Sequence, residues 1–89
     1  MTTLFIRHRV ADYQQWRTVY DGMESTQKLL GVIGEEVYQS AGDPNDLTVT
    51  HDFASRESAE GFLASPELGD GMARAGVVGE PTIWVTERT

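Results

Sequence analysis

Two segments of the chain alternate apolar and polar residues with the period of two that is typical of β-strands. In residues 3–10 the apolar phase holds His8, and in residues 47–53 it holds His51. The other members of these phases are Leu4, Ile6 and Val10 in the first segment and Leu47, Val49 and Phe53 in the second. No further histidine occurs. Each strand therefore places one imidazole on its more apolar face, as either a hydrogen-bonded core group or part of a site.

Spacings of three and four residues predict a helix after the first strand. Asp12 suits the N-cap, Gln15 stands in the capping-box position, and Gly31 suits a left-handed end. Gly22 lies inside this helix and costs about 1 kcal/mol relative to alanine. The predicted apolar stripe consists of Tyr13, Trp16, Val19, Tyr20, Met23, Gln27 and Leu30.

A second helical region follows the strand that contains His51. Ser55 is the predicted N-cap, Ser65 and Pro66 restart the helix, and Gly76 ends it. The inward positions are Ala59, Phe62, Leu63, Leu68, Met72 and Ala75.

Two more strands complete the pattern, at residues 32–40 and at residues 82–86 or slightly longer, with Pro81 tolerated at the start of the last one. Residues 42–46 contain Pro, Asn and Asp and predict the turn of a hairpin. The order β-α-β-β-α-β predicts a single α+β domain over residues 1–89, with the ferredoxin-like fold and a four-stranded antiparallel sheet.

In this topology the first and third strands are adjacent in the middle of the sheet, and both helices cover one face. We therefore expect His8 and His51 to be neighbours beneath the helices. The opposite face mixes aromatic, cationic and small polar residues, which favours self-association there. We expect Arg7 and Arg9 to face acidic residues across a dimer, or solvent. That face carries Phe5, Arg7, Arg9, Thr48, Thr50, Thr82, Trp84 and Thr86.

Composition narrows the function classes. The 89 residues contain no cysteine, which excludes disulfides, thiolate metal sites and cysteine nucleophiles. The formal charge of −7, without a basic cluster, argues against nucleic acid as a partner. There is no apolar run of ~20 residues for a membrane span and no signal-peptide pattern. We therefore expect a cytoplasmic protein that does not contact membranes.

Several segments together resemble the antibiotic biosynthesis monooxygenase-like proteins of the dimeric α+β-barrel superfamily. These segments are residues 5–16 (FIRHRVADYQQW), 43–46 (DPND), 62–68 (FLASPEL) and 81–84 (PTIW). The resemblance spans nearly the whole chain, and its motifs mark the fold more than a chemistry. It implies a homodimer in which two sheets pack face to face, and a pocket in each protomer between sheet and helices. The superfamily includes cofactor-independent oxygenases, haem-degrading enzymes, isomerases and proteins without known activity.

The candidate site residues follow from this pocket. His51 and His8 are the candidate catalytic bases, because an imidazole exchanges protons near neutral pH. The candidate substrate-binding residues are Trp16, Tyr20, Tyr13, Phe53 and Phe62. The leading hypothesis is a small, cofactor-independent, monooxygenase-like enzyme that acts on an aromatic or polyketide-type compound.

Two alternatives stay open at this stage. One is a non-catalytic ligand-binding or stress-associated dimer whose histidines are core residues, and the other is an isomerase or cyclase that uses the same base. Two histidines without an inward carboxylate argue against a metal site. The absence of a helical histidine argues against haem, since haem-degrading relatives ligate the iron from a helix. No glycine-rich phosphate loop or nucleophile elbow occurs.

Overall fold

The computed structural model describes residues 1–89 as one antiparallel sheet covered by helices on one face. The elements are β1 (Thr2–Val10), α1 (Tyr13–Asp21), α2 (Glu24–Leu29), β2 (Gly34–Ser40), β3 (Asp43–Phe53), α3 (Arg56–Ala64), α4 (Pro66–Arg74) and β4 (Val77–Glu87). The strand order is β2-β3-β1-β4. This order confirms the predicted ferredoxin-like α+β fold, with β1 and β3 in the centre.

The core lies between the sheet and the helices, in two clusters. One cluster joins β1, β3 and α3 around Phe53, which is fully buried, and Phe62. The other joins β1, β3, α1 and α4 around Trp16, which is 2% exposed, with Leu47 and Val49. The alternation read from the sequence therefore assigns the buried face of both central strands correctly.

The single helix expected between Asp12 and Gly31 is two helices. Asp12 caps α1 by accepting a hydrogen bond from the Gln15 backbone N–H at 3.0 Å. The helix then ends at Gly22, and Met23 leaves the helical conformation before α2 begins. The low helix propensity of glycine explains the position of this break. Gly31 ends α2 with φ of 98°, as predicted.

The hairpin between β2 and β3 turns earlier than the sequence indicated. The turn is Ala41–Gly42, and β3 already begins at Asp43. The pairing register shifts between Gln39 and Ser40, so Pro44 lies in a bulge of β3. A bulge tolerates proline because no ladder hydrogen bond needs its missing N–H.

Strand β4 is longer than predicted, and Pro81 lies within it. Arg7 of β1 pairs with Thr82, and Arg9 pairs with Val78. The register therefore shifts in the stretch of β4 that contains Pro81. Gly79 in the same irregular stretch has φ of 76°, a conformation that favours glycine. β4 is an edge strand, where proline is tolerated.

The second helical region has the predicted caps. Ser55 Oγ accepts a hydrogen bond from the Ser58 backbone N–H at 3.2 Å and begins α3. Ser65 is extended, Pro66 opens α4, and Gly76 closes the region with φ of 81°. The Ser65 hydroxyl does not cap α4 but donates to the Phe62 carbonyl at 2.6 Å.

The sheet face away from the helices carries ion pairs within the chain. Arg7 donates two hydrogen bonds to Asp46, at 2.7 and 3.1 Å. Arg9 approaches Asp43 at 2.6 Å. Both arginines are exposed to solvent, which is one of the two expected outcomes, and the carboxylates that pair with them come from the start of β3 in the same chain. None of the helices combines the length and the apolar composition that a membrane crossing requires.

Candidate functional site

A small cavity lies between the sheet and helices α1 to α4. Its volume is about 50 Å³, and 11 of its 16 lining residues are hydrophobic. Both histidines line it from the sheet, and Met23 and Met72 line it from the helical layer. The remaining aromatic lining residues are Trp16, Tyr20 and Phe62. The structure therefore gathers five of the seven predicted site residues around one cavity.

The two histidines are buried and short of hydrogen-bond partners. His8 is 7% exposed and His51 2% exposed. Neither ring nitrogen of His8 has a partner in the protein, and neither does Nδ1 of His51. Buried polar atoms are nearly always paired, and an unpaired one costs about 1–3 kcal/mol. Within the protein, therefore, no group pairs with His8, and His51 is paired only through Nε2.

Burial determines the protonation state of both imidazoles. Loss of hydration lowers the pKa of His51 to about 4, and the nearby charge of Asp52 offsets only part of this. The same loss of hydration lowers the pKa of His8, against a smaller opposing effect of Asp46. Both rings are neutral at pH 7 and so have a free lone pair.

His8 and His51 are on the same face but are not neighbours, contrary to our expectation. His8 pairs with Leu47 and His51 pairs with Leu4 across the β1–β3 ladder. The two histidines are therefore separated by four residues of strand, roughly 13 Å at about 3.3 Å per residue. Adjacent strands were predicted correctly, but their antiparallel register offsets the two imidazoles. They reach the cavity from two ends and cannot act on the same proton.

A row of aromatic rings connects the two ends. Trp16 packs against His8 with ring centroids 5.9 Å apart and stacks on Tyr20 at 4.6 Å. Tyr20 lies 6.3 Å from His51, and Phe62 lies 5.1 Å from the other side of that imidazole. These rings give the cavity flat, apolar walls that suit an aromatic ligand.

Two predicted substrate-binding residues do not line the cavity. Tyr13 is half-buried and stacks against Trp16 at 6.1 Å, on the first turn of α1. Phe53 is fully buried behind Phe62, with centroids 5.4 Å apart. Both support lining residues from behind, because Tyr13 lies one turn before Trp16 and Phe53 follows His51 by one same-face step along β3.

Glu35 is a polar neighbour of the site that the sequence reasoning missed. On β2 it pairs directly with His51 of β3, so both side chains are on the helix-facing side of the sheet. Its carboxylate accepts a hydrogen bond from Tyr20 Oη at 2.7 Å. The alternation of β2, in which Glu35 shares a phase with Val37, was the available signal.

The hydroxyl of Tyr20 lies between Glu35 and His51. Tyr20 Oη is 3.5 Å from His51 Nε2, the upper limit of a hydrogen bond. Burial raises the pKa of Tyr20, and the hydrogen bond to Glu35 with its negative charge raises it further. The phenol therefore stays protonated throughout the physiological range.

A second, polar groove lies outside the cavity, on the other side of Tyr20 and Gln27. Its volume is about 210 Å³, and Tyr20 and Gln27 line both spaces. Glu24, Lys28 and Glu35 border the outer groove. Within the structure, no three His, Asp or Glu side chains come together in an arrangement that could hold a metal ion.

No protein-family model matches the sequence, and no curated protein matches it either. Solved structures do match. One described as an antibiotic biosynthesis monooxygenase superposes with a TM-score of 0.76 at 8% identity, over 100% of this chain and 99% of its own. A conserved protein from Methanosarcina mazei Go1 gives 0.78 at 18% identity, over 99% of this chain and 92% of its own.

A third match is SnoaB from Streptomyces nogalater, described as a cofactor-independent oxygenase. It gives a TM-score of 0.75 at 13% identity, over 99% of this chain and 94% of its own. Identities this low show a shared fold and not a shared activity. The structural neighbours thus confirm, at the level of the fold, the resemblance to antibiotic biosynthesis monooxygenase-like proteins.

Proposed function

We propose that this protein is a small cofactor-independent enzyme, monooxygenase-like, that acts on an aromatic or polyketide-type compound in the cavity between sheet and helices. The observation that carries the proposal is chemical: three buried imidazole nitrogens without protein partners belong to side chains that line an otherwise largely apolar cavity. A ligand that offers hydroxyl or enolisable C–H groups to these nitrogens removes the cost of leaving them unpaired.

The chemistry suits a substrate that itself supplies the electrons. A neutral imidazole removes a proton from an activated CH₂ group beside a phenol or ketone and leaves a stabilised carbanion. Dioxygen, as the co-reactant, oxidises this carbon. One oxygen atom becomes a carbonyl oxygen, and the other leaves as water with the two hydrogens of the CH₂ group. The sum is CH₂ + O₂ → C=O + H₂O, which balances without an external reductant.

The low pKa of His51 is compatible with this role. At rest the ring is neutral and ready to accept a proton. Once the proton has moved, the imidazolium faces a substrate anion in a poorly solvated cavity, where the attraction of opposite charges is strong. The ion pair therefore stabilises the protonated imidazole that burial alone disfavours.

The size of the cavity limits what it admits without change. An engineered cavity of about 150 Å³ binds benzene, so a volume of about 50 Å³ holds no aromatic ring. The walls include the side chains of Met23 and Met72, which are flexible and adapt easily to other shapes. We propose that these thioethers move aside when the substrate enters.

A homodimer through the open sheet face belongs to the same proposal. The face presents Phe5 stacked on Trp84, and Tyr38 is 55% exposed on it. Large aromatic side chains left at an open surface favour association. The shared fold with SnoaB, described as a cofactor-independent oxygenase, supports the proposed activity in general terms.

The test combines oxygen uptake with substitution. Purified protein is mixed with a panel of anthrones and polyphenols in an oxygen electrode, with product mass followed in parallel. We expect oxygen consumption with one carbonyl gained per O₂, and its loss in His51→Ala. Leu29→Ala changes an exposed residue that lies neither in the cavity nor on the open sheet face and serves as the control. Turnover that survives in a folded His51→Ala protein would remove the assigned role.

A ligand-binding module is the second candidate, and the largely apolar lining of the cavity favours it. It predicts that a phenolic ligand binds with no change in its mass. An isomerase or cyclase would convert substrate without consuming oxygen. The same experiment separates the three functions, because product mass and oxygen uptake are measured together.

A further inference from the structure

The side chains of His51, Tyr20 and Glu35 form a directed chain of hydrogen bonds from the cavity to the outer groove. His51 and Glu35 are cross-strand partners on β3 and β2, and Tyr20 reaches down from α1 to both. Tyr20 and Glu35 also border the outer groove, whereas His51 lines only the cavity. The chain therefore crosses the wall between the two spaces.

The direction of each hydrogen bond follows from counting hydrogens. A tyrosine hydroxyl has one hydrogen, and an ionised carboxylate can only accept. The short Tyr20–Glu35 contact of 2.7 Å therefore uses the hydrogen of Tyr20. Towards His51 the same oxygen can only accept, so Nε2 of the neutral imidazole must carry the ring hydrogen. Nδ1 then holds the lone pair, and this is the nitrogen of His51 without a protein partner.

We propose that Glu35, acting through Tyr20, is a positioning residue that holds His51 in the Nε2–H tautomer, so that Nδ1 is the base, and that the same chain carries the proton to the outer groove. The role in turnover rests on the proposed function, whereas the tautomer does not.

The proton transfer balances without a further reagent. Nδ1 takes the proton from the substrate, Nε2 gives its own to the Tyr20 oxygen, and Tyr20 gives its hydrogen to the carboxylate of Glu35. The exposed Glu35 then loses that proton to water. The chain is reset when a proton from water enters at Glu35 and each hydrogen moves back one step, so that Nδ1 gives its proton to the reduced oxygen that leaves as water. His8 has no such chain, since both of its nitrogens lack partners. The structure therefore distinguishes His51 from His8 as the base.

Charged groups of both signs lie around the chain. Arg17 lies over the ring of Tyr20, with its guanidinium carbon 5.7 Å from the centroid, and Lys28 borders the outer groove. Asp21 and Glu24 border the same groove, but each is paired with one of these cations, at 3.0 Å and 3.2 Å. Each of these ion pairs partly neutralises both its cation and its carboxylate.

The tautomer can be read directly, without any substrate. Long-range ¹H–¹⁵N NMR spectra of ¹⁵N-labelled protein at pH 7.5 separate protonated from unprotonated ring nitrogens. We expect a protonated Nε2 and an unprotonated Nδ1 for His51. Glu35→Ala frees the Tyr20 hydrogen for Nε2, so we expect the ring hydrogen to move to Nδ1. Glu36→Ala, on the opposite face of β2, is the matched control and should leave the spectrum of His51 unchanged.

Two results would overturn the proposal: an Nδ1–H tautomer in the unmodified protein, or the same spectrum in the Glu35 and Glu36 variants. If the Glu35 variant loses its fold, Tyr20→Phe replaces it. That variant keeps the ring and removes the acceptor, and it should leave His51 with a mixture of tautomers. Failure of the proposed function is seen separately, because the tautomer is measured with no turnover. Where turnover is found, Tyr20→Phe should lower kcat with little change in KM.

Discussion

Phe5 and Trp84 stack face to face on the open side of the sheet, with ring centroids 5.3 Å apart and planes 8° from parallel. They are cross-strand partners on β1 and β4. Trp84 is nonetheless 42% exposed, so the stack presents a flat apolar surface to whatever covers this face. In the proposed homodimer that cover is the same face of a second chain.

The first prediction concerns this stack. Replacing Trp84 with glutamate places a charge in the centre of the proposed interface, and we expect the dimer to become a monomer in sedimentation or light scattering. Leu29→Glu is the control, because Leu29 is 88% exposed on the helical side. The Leu29→Glu protein should remain a dimer. A monomeric parent protein would contradict the proposed assembly.

The second prediction is a pH dependence of stability. His51 titrates near pH 6.5 in the unfolded chain and at about 4 in the folded protein. Between these values the unfolded state binds more protons, so the free energy of unfolding falls as the pH falls. Above pH 6.5 the titration of His51 does not affect the free energy of unfolding. Between pH 6.5 and pH 4 this free energy falls by about 3 kcal/mol.

Urea unfolding between pH 4 and 8 measures this effect. His51→Leu should flatten much of the slope, and the lowered pKa of His8 should leave a residual slope of the same sign. Asp46 affects stability in a different pH range, because the hydrogen bond from Arg7 holds its pKa at about 2, below the usual 3.8. Its contribution is lost only below about pH 4. A flat profile for the parent protein would show that His51 is not buried as described.

The third prediction compares two residues paired across the central strands. His8 has no hydrogen-bond partner to lose, so His8→Leu should leave the free energy of unfolding unchanged or raise it by about 1 kcal/mol. Leu47→Ala, directly opposite and fully buried, should lower it by about 2–5 kcal/mol. Thermal and urea unfolding measure both. A loss of more than 1 kcal/mol in His8→Leu would point instead to a hydrogen-bonded core histidine.

The fourth prediction uses two glycines of α4. A Cβ atom at Gly71 would lie 2.5 Å from the sulfur of Met23, so Gly71→Ala must displace that thioether from its place in the cavity wall. The clashing atoms are the far end of a flexible side chain that can shift, so we expect the clash to offset the ~1 kcal/mol that alanine gains over glycine in a helix and to leave the stability nearly unchanged. At Gly69 an added Cβ meets nothing within 4 Å, so Gly69→Ala should stabilise the helix by about 0.5–1 kcal/mol.

A second substitution isolates the contact. If the clash with Met23 offsets the gain, Gly71→Ala combined with Met23→Ala should lose less stability than the sum of the two single changes. Strict additivity would mean that Gly71 matters for another reason. The crystal structure of Gly71→Ala would show where the thioether goes.

The sequence predicts the fold well because alternation and capping are local signals. His8 and His51 belong to clear strand phases, and Ser55, Gly31 and Gly76 mark element ends by their own conformational preferences. The helix break at Gly22 was not predicted because the apolar stripe continues across it. There the backbone preference of one residue prevailed over the continuous pattern around it.

The sequence predicted which residues contribute to the site but not how they are arranged. The phase of a strand shows which face a histidine occupies, but only the register shows that Leu4, and not His8, lies opposite His51. The connection from β1 to β3 runs through α1, α2 and β2, so no hairpin turn marks their register in the sequence. Glu35 was missed for a related reason: its role depends on a cross-strand pairing and on a tyrosine from a different element.

The break at Gly22 also has a consequence for how a ligand enters the cavity. It leaves α2 as a helix of six residues, far shorter than the ~12–15 that give even marginal stability to an isolated helix in water. Such a segment has a low free energy of local opening, and it carries Gln27, which separates the cavity from the outer groove. We therefore expect the backbone amides of α2 to exchange hydrogen with water faster than those of the central strands, and a ligand to enter the cavity on the side of α2.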